Sequence, residues 1–298
     1  MNIRSEIHKT NWRDYLDLCK LRVVLLMLIT AYVGMALAVP GLVPWHAAIF
    51  GLLGIGFLAC AAAAVNHLVD RRIDAIMGRT KYRPLPTGRV SIKNAIIFAI
   101  ILGILGFLVL ALLVNLLTAW LTLLTLVGYA GIYTMYLKRA TSQNIVIGGL
   151  AGAMPPLLGW TAVTGHLDLN AWLLVLIIFV WTPPHFWALA IFRHEEYSKV
   201  EIPMLTTTHG LKYTRNSVLV YTFALLLVSI IPYFIGMSGL LYLIGASILG
   251  IIFIIYAVIL RVSPDLRWGM KTFRYSIIYL FLLFIILLVD HYLLFGLH

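Results

Sequence analysis

Along this chain long apolar runs alternate with short polar ones, and the apolar runs are close to the roughly 20 residues an α-helix needs to cross a bilayer. The pattern predicts nine membrane-spanning helices, near 21–39, 47–69, 95–114, 117–137, 145–164, 170–191, 216–236, 239–260 and 275–294. The third and fourth are divided only by Asn115 to Thr118, and they count as two because one helix of their joint length would overrun the membrane. Residues 1–20 are polar and amphipathic, so they read as neither a cleavable signal nor a span. The expected fold class is therefore all-α integral membrane, one polytopic domain over residues 1–298.

Composition sharpens this, since 62% hydrophobic and 11% charged residues exclude an ordinary soluble domain. Charge then orients the bundle. The basic residues fall before or at the start of the first helix (Arg4, Lys9, Arg13, Lys20, Arg22), between the second and third (Arg71, Arg72, Arg79, Lys81, Arg83, Arg89, Lys93) and after the fourth (Lys138, Arg139). The rest lie between the sixth and seventh (Arg193, Lys199, Lys212, Arg215) and before the ninth (Arg261, Arg267, Lys271, Arg274). Together these are all 22 Lys and Arg, and nine spans put every one at the same end. The positive-inside rule makes that end cytoplasmic, with the C-terminus opposite, so the net charge of +11 is a one-sided field. For most of these cations lipid headgroups are sufficient partners, at about 1 kcal/mol per basic residue near the surface.

The segment NHLVDRRIDAIMGRTKYRPLPTGR, residues 66–89, asks for more. Asn66, Asp70 and Asp74 recur every fourth residue, so on a helix they form one row that drifts by about 40° per step. Polar groups at the end of an apolar helix are costly and usually functional. Three oxygen-bearing side chains in a row make a cradle for a hard cation. Arg79, Lys81 and Arg83 follow in a loop shaped by Pro84, Pro86 and Gly88. A diphosphate bridged by Mg²⁺ satisfies both halves of this arrangement, because the carboxylates alone would repel it and the cations alone would not hold the metal. With an apolar interior behind it, the site suits a prenyl diphosphate, whose ionisation needs a stabilised leaving group and a dry pocket.

These residues, Asn66-x3-Asp70-x3-Asp74 followed by Arg79 and Arg83-Pro84-Leu85-Pro86, resemble the UbiA superfamily of intramembrane prenyltransferases. Three later stretches resemble its protoheme IX farnesyltransferase (haem O synthase) branch: Tyr136 to Gly149, Gly152 to Trp160, and Trp181-Thr-Pro183-Pro184-His185-Phe186-Trp187. Tyr197 with Ile202-Pro203-Met204-Leu205 continues the match. The resemblance implies transfer of the farnesyl group of farnesyl diphosphate to a vinyl group of haem B, with addition of water. Haem B is then a substrate, Mg²⁺ the cofactor, and the bacterial inner membrane the location. Haem A synthase or terminal-oxidase assembly are the implied partners, and nothing calls for nucleic acid. The runner-up is a UbiA enzyme with another acceptor, an aromatic quinone precursor or a chlorophyll-like tetrapyrrole. A cation-coupled transporter is disfavoured, because its acidic residues belong at mid-bilayer.

By the same match Asn66, Asp70 and Asp74 hold the metal-diphosphate, while Arg71, Arg79, Lys81, Arg83, Lys138 and Arg139 hold its oxygens or the haem propionates. Many UbiA relatives carry a second aspartate-rich motif, yet the equivalent stretch HFWALAIFRHEEYSKVEIPML contains no Asp. Glu196 is its candidate metal-side replacement, and Arg193, Tyr197 and Lys199 are candidate contacts for a substrate with two propionates. His185 follows a Pro-Pro pair expected to interrupt the helix ladder. It could ligate haem iron, bond a propionate, act as the base for the incoming water, or merely cap carbonyls freed by the prolines. His67 is expected to face away from the Asp row, and Trp160 and Trp187 to line a pocket. Glycines 148, 149 and 152 read as close helix contacts. Cys19 and Cys60 read as free thiols.

Overall fold

A computed structural model describes residues 11–78, 80–137, 140–198 and 203–295, and the regular structure among them is entirely helical. The chain opens with α1 (Trp12–Cys19) and α2 (Leu21–Leu37), which meet at a bend of 50°. Next come α3 (Trp45–Ile76), α4 (Ile92–Leu113) and α5 (Leu116–Val127), which passes into a π-helical segment, Gly128–Leu137. Then follow α6 (Asn144–Ala153), α7 (Pro155–Thr164) and α8 (Leu169–Phe192), and two single turns, α9 (His194–Tyr197) and α10 (Leu205–Thr208). The last three are α11 (Gly210–Phe234), α12 (Leu240–Val262) and α13 (Arg267–Phe295). Among the described residues eight spans are long and apolar enough to cross a membrane, and the bent α1–α2 pair makes a ninth.

Local chemistry accounts for the breaks. Asn115 ends the third span and starts the fourth: its side chain accepts from Thr118 N at 2.8 Å and donates to Thr161 O at 2.9 Å. Pro155 opens α7 at a position where no N–H is needed, so the predicted helix 145–164 is two helices in series. Pro183 and Pro184 remove two donors from the ladder of the sixth span, as expected, yet α8 runs through both without ending. Packing supports it there: α8 is the most enclosed span, with Leu174, Ile177 and Ile191 fully buried. Helix α3, the second predicted span, also runs two turns past its predicted end at residue 69, which places Asp74 on it.

Cross-links fasten the two ends of the bundle. At the end carrying the Asp row, Arg89 donates to Asp14 of α1, Asn144 Nδ2 to Pro203 O at 3.2 Å, and Arg261 Nε to Asn216 Oδ1 at 2.8 Å. At the other end, the buried Asp290 carboxylate accepts from Gly239 N and Tyr242 N, closing the first turn of α12 from α13. His291 Nε2 donates to Val39 O at 2.9 Å. Helices α2 and α7 cross closely enough that a Cβ on Gly34 or Gly159 would land on the carbonyl oxygen of Pro156 or Ala31 respectively.

Candidate active site

The Asp row is a bonded chain rather than three free oxygens. Asn66, Asp70 and Asp74 share one face of α3, each at most 5% exposed. Lys20 Nζ donates to Asn66 Oδ1, and Asn66 Nδ2 donates to Asp70 Oδ2 at 3.0 Å. An ammonium only donates and a carboxylate only accepts, so this relay fixes which way the amide points. At the other end of the row Arg83 donates to Asp74 Oδ2 at 2.8 Å, and the Thr80 hydroxyl donates to Asp74 O at 3.1 Å.

The loop after α3 brings Arg83 there by its own bonding. Thr80 N and Lys81 N both donate to Met77 O at 3.0 Å, and Thr87 folds back onto Arg83 O through its N–H and its hydroxyl. Arg89 clamps this loop to α1 through Asp14 and to itself through Tyr82 O at 2.7 Å. The same helix α1 ends at Lys20, so one brace sets both cations of the row. Lys20 adopts φ 50°, a left-handed conformation that turns the chain between α1 and α2 and directs its amine to Asn66.

Three further groups surround the row that the sequence reading did not assign to it. Tyr129 and Tyr133 stack at 5.6 Å on the π-helical segment, both within electrostatic reach of Asp70. Short π-helical stretches occur frequently at functional sites. Tyr133 rests on Gly148, where a Cβ would collide with its ring, and it also senses Tyr197. His67 corrects an expectation. As the i−3 neighbour of Asp70 it lies about 60° round the helix from it, and Lys20 and Arg83 are within electrostatic reach of it. It is 2% exposed, and neither ring nitrogen has a hydrogen-bond partner among the described residues. The tyrosines' i, i+4 spacing carried the only available signal; Lys20 had none beyond its charge.

Of the remaining candidates, those described make other contacts. Arg71 sits 100° round α3 from Asp70 by helix geometry and donates to Leu68 O at 2.7 Å. Lys81 is exposed, over the Tyr82 ring at 4.9 Å. Arg193 pairs with Glu196 at 3.1 Å, and that carboxylate is 49% exposed. Arg79, Lys138, Arg139 and Lys199 lie outside the described residues. Trp160 and Trp187 are buried in two separate apolar clusters, where they serve packing. Cys19 and Cys60 are free, buried thiols.

His185 forms a second centre on α8. Its ring is sandwiched between Trp181 at 4.2 Å and Phe273 at 4.4 Å, and its Nδ1 meets Ser276 Oγ at 2.7 Å. Ser276 Oγ also lies 2.7 Å from Phe273 O, and when the serine proton is on that carbonyl Nδ1 is the donor toward Oγ. In that tautomer Nε2 keeps its lone pair. Capping of freed carbonyls is thereby replaced by a serine contact.

The donor set fits Mg²⁺. That ion usually takes one or two carboxylates and fills its other positions with substrate phosphate oxygens and water. Asp70 and Asp74 are two such carboxylates on one buried face, and among the described residues no third His, Cys, Asp or Glu joins them.

Residues 27–285 match the UbiA prenyltransferase family. The chain belongs to the UbiA prenyltransferase family. Within this family it is 62% identical over 282 residues to protoheme IX farnesyltransferase of Legionella pneumophila (strain Paris), covering 95% of this chain and 96% of that one. It is 60% identical over 282 residues to the protein of the same name from Marinobacter nauticus, covering 95% and 93%. The UbiA fold is shared with digeranylgeranylglyceryl phosphate synthase at a TM-score of 0.77, with 21% identity and coverage of 94% of this chain and 98% of that one. A UbiA homologue from Archaeoglobus fulgidus bound to GPP and Mg²⁺ superposes with a TM-score of 0.64, at 18% identity and coverage of 92% and 99%.

Proposed function

We propose that this UbiA prenyltransferase joins the farnesyl group of farnesyl diphosphate to a vinyl group of haem B and adds water, giving haem O and diphosphate. The observation that carries the acceptor is the near full-length identity to proteins named protoheme IX farnesyltransferase. The row on α3 supports the donor. We place the site toward the cytoplasm of a bacterial inner membrane, on the strength of the one-sided basic residues.

In this reading Asp70 and Asp74 hold the divalent cation, and Lys20 and Arg83 complete the charge around the diphosphate. When bound, Mg²⁺ supplies positive charge to the departing diphosphate oxygens. The C1–O bond of the farnesyl group breaks, and its C1 bonds the terminal vinyl carbon. The electron-rich faces of Tyr129 and Tyr133 flank the allylic cation and help exclude water from it. The positive charge passes to the vinyl carbon attached to the porphyrin, where water adds. His185 Nε2, unprotonated because Nδ1 is committed to Ser276, accepts the proton that this water releases.

Purified protein incubated with farnesyl diphosphate, haem B and Mg²⁺ is expected to yield a haem heavier by one farnesyl and one hydroxyl group. If no haem product forms and an aromatic acid is prenylated instead, the acceptor assignment fails while the prenyltransferase reading survives.

A further inference from the structure

On the face of α3 turned away from the Asp row lies a cavity of about 540 Å³, walled by α3, α4 and α5 and open outward between them. Ala61, Val65 and Leu68 line it, about 140–180° round the helix from Asp70. It exists because its floor is made of small residues. Ala61 and Ala99 are buried beneath it, and a Cβ on Gly103 would meet nothing within 4 Å. Ile96, Ile100 and Ile104 form a half-exposed rim, 44–55% accessible. The one charged group in the lining is Arg71, at the end where the basic loops gather. Arg72 and Lys93 are exposed close by in sequence.

We propose that this groove holds one acyl chain of an anionic phospholipid, with the lipid phosphate at Arg71. Depth is the first argument. From Ile92 to Ile104 the wall spans about 18 Å at 1.5 Å per residue, against about 15 Å for one leaflet's half of a hydrocarbon core roughly 30 Å thick. Volume is the second. A groove of about 540 Å³ that is open outward along its length takes a slender chain laid in it more readily than a helix about 10 Å across. Charge is the third. Arg71 spends one N–H on Leu68 O and keeps the rest of its guanidinium fork for an anion at the membrane boundary. The groove is separate from the diphosphate site, since α3 itself stands between them. Arg71, expected from the sequence to hold substrate, here serves lipid.

The full chain, purified in mild detergent and depleted of lipid by washing, is exposed to dioleoyl phosphatidylglycerol or to dioleoyl phosphatidylcholine. Native mass spectrometry then counts what each chain retains. The wild type is expected to keep one phosphatidylglycerol in preference to phosphatidylcholine. Arg71→Gln reduces that preference about fivefold, the worth of one basic residue at a membrane surface, and Arg71→Lys restores it. Gly103→Leu fills the groove and lowers retention of both lipids about tenfold, as expected for displacing two or more buried methylenes. Equal retention of the two lipids by wild type and Arg71→Gln overturns the proposal. So does undiminished retention in Gly103→Leu, or a lipid-free dimer that Gly103→Leu dissociates, since the occupant would then be a second copy.

Discussion

Lys20 is the only non-glycine residue at positive φ among those described. Such a conformation costs an ordinary residue about 1–2 kcal/mol, and its amine is what the strain delivers to Asn66. Lys20→Gly separates the two effects: it relieves the backbone and removes the amine. Its melting temperature is expected to match or exceed that of the wild type while turnover falls at least about tenfold, the rate equivalent of roughly 1.4 kcal/mol. A Lys20→Gly enzyme of normal activity would remove Lys20 from the site.

The carboxylates lend themselves to a similar separation. An amide at position 70 can still accept from Asn66 Nδ2, and one at position 74 can still accept from Arg83, so Asp70→Asn and Asp74→Asn keep the bonding while discarding the charge. Each is expected to fold, as judged by monodisperse elution, and nearly to abolish farnesyl transfer. A variant that kept most of its activity would sink the metal-cradle argument. His67 predicts the opposite balance. A buried polar group without a partner costs about 1–3 kcal/mol, so His67→Phe should not lower the melting temperature. A drop of several degrees would mean its nitrogens are satisfied after all.

Among the elements, the π-helical segment is the one that hydropathy could not announce. Its residues are apolar enough to continue the span, and what changes is the backbone bonding; Thr134 Oγ1 also donates to Tyr129 O, five residues back, at 2.7 Å. The consequence is that Tyr129 and Tyr133 stack within electrostatic reach of Asp70, and that Tyr133 leans on α6. Gly148 and Gly152 lie one turn apart on α6 and test this. A Cβ at 148 strikes the Tyr133 ring, whereas one at 152 meets nothing within 4 Å. Gly148→Ala is expected to lose about 1–3 kcal/mol through overpacking and to lose activity with it. Gly152→Ala should be neutral or gain about 0.5–1 kcal/mol, because glycine is poor inside a helix. Thermal denaturation and turnover, measured on the pair, check both. Elsewhere element existence was legible from apolar run length, and the Asn115 break from the membrane's thickness. The continuity of α8 through Pro183 and Pro184 was not, because it depends on neighbours packed around the helix rather than on its own residues.

Across the whole molecule, what the sequence carried was what depends on spacing and sign: an Asp row at every fourth residue, and cations at one end. What it withheld depends on how the chain folds back. Arg83 reaches Asp74 while Lys81, two residues earlier, stands over Tyr82, and only the loop's own hydrogen bonds distinguish them. Lys20 comes from the first bend, the row from α3 and the tyrosines from the segment after α5, so the site ties together parts of the chain more than 100 residues apart. Ligand bound there should therefore stabilise the bundle as a unit. A ligand that binds only the folded state adds about 2.7 kcal/mol at 100 times its dissociation constant. Farnesyl diphosphate with Mg²⁺ is expected to raise the melting temperature well above the effect of either alone, since two carboxylates facing a bare diphosphate repel it. Chelation with EDTA should return the shift to near zero, and Asp70→Asn should show little shift even with the metal present. An equal shift in EDTA would mean that the diphosphate is held by the cations alone, with the carboxylates serving only to anchor Lys20 and Arg83.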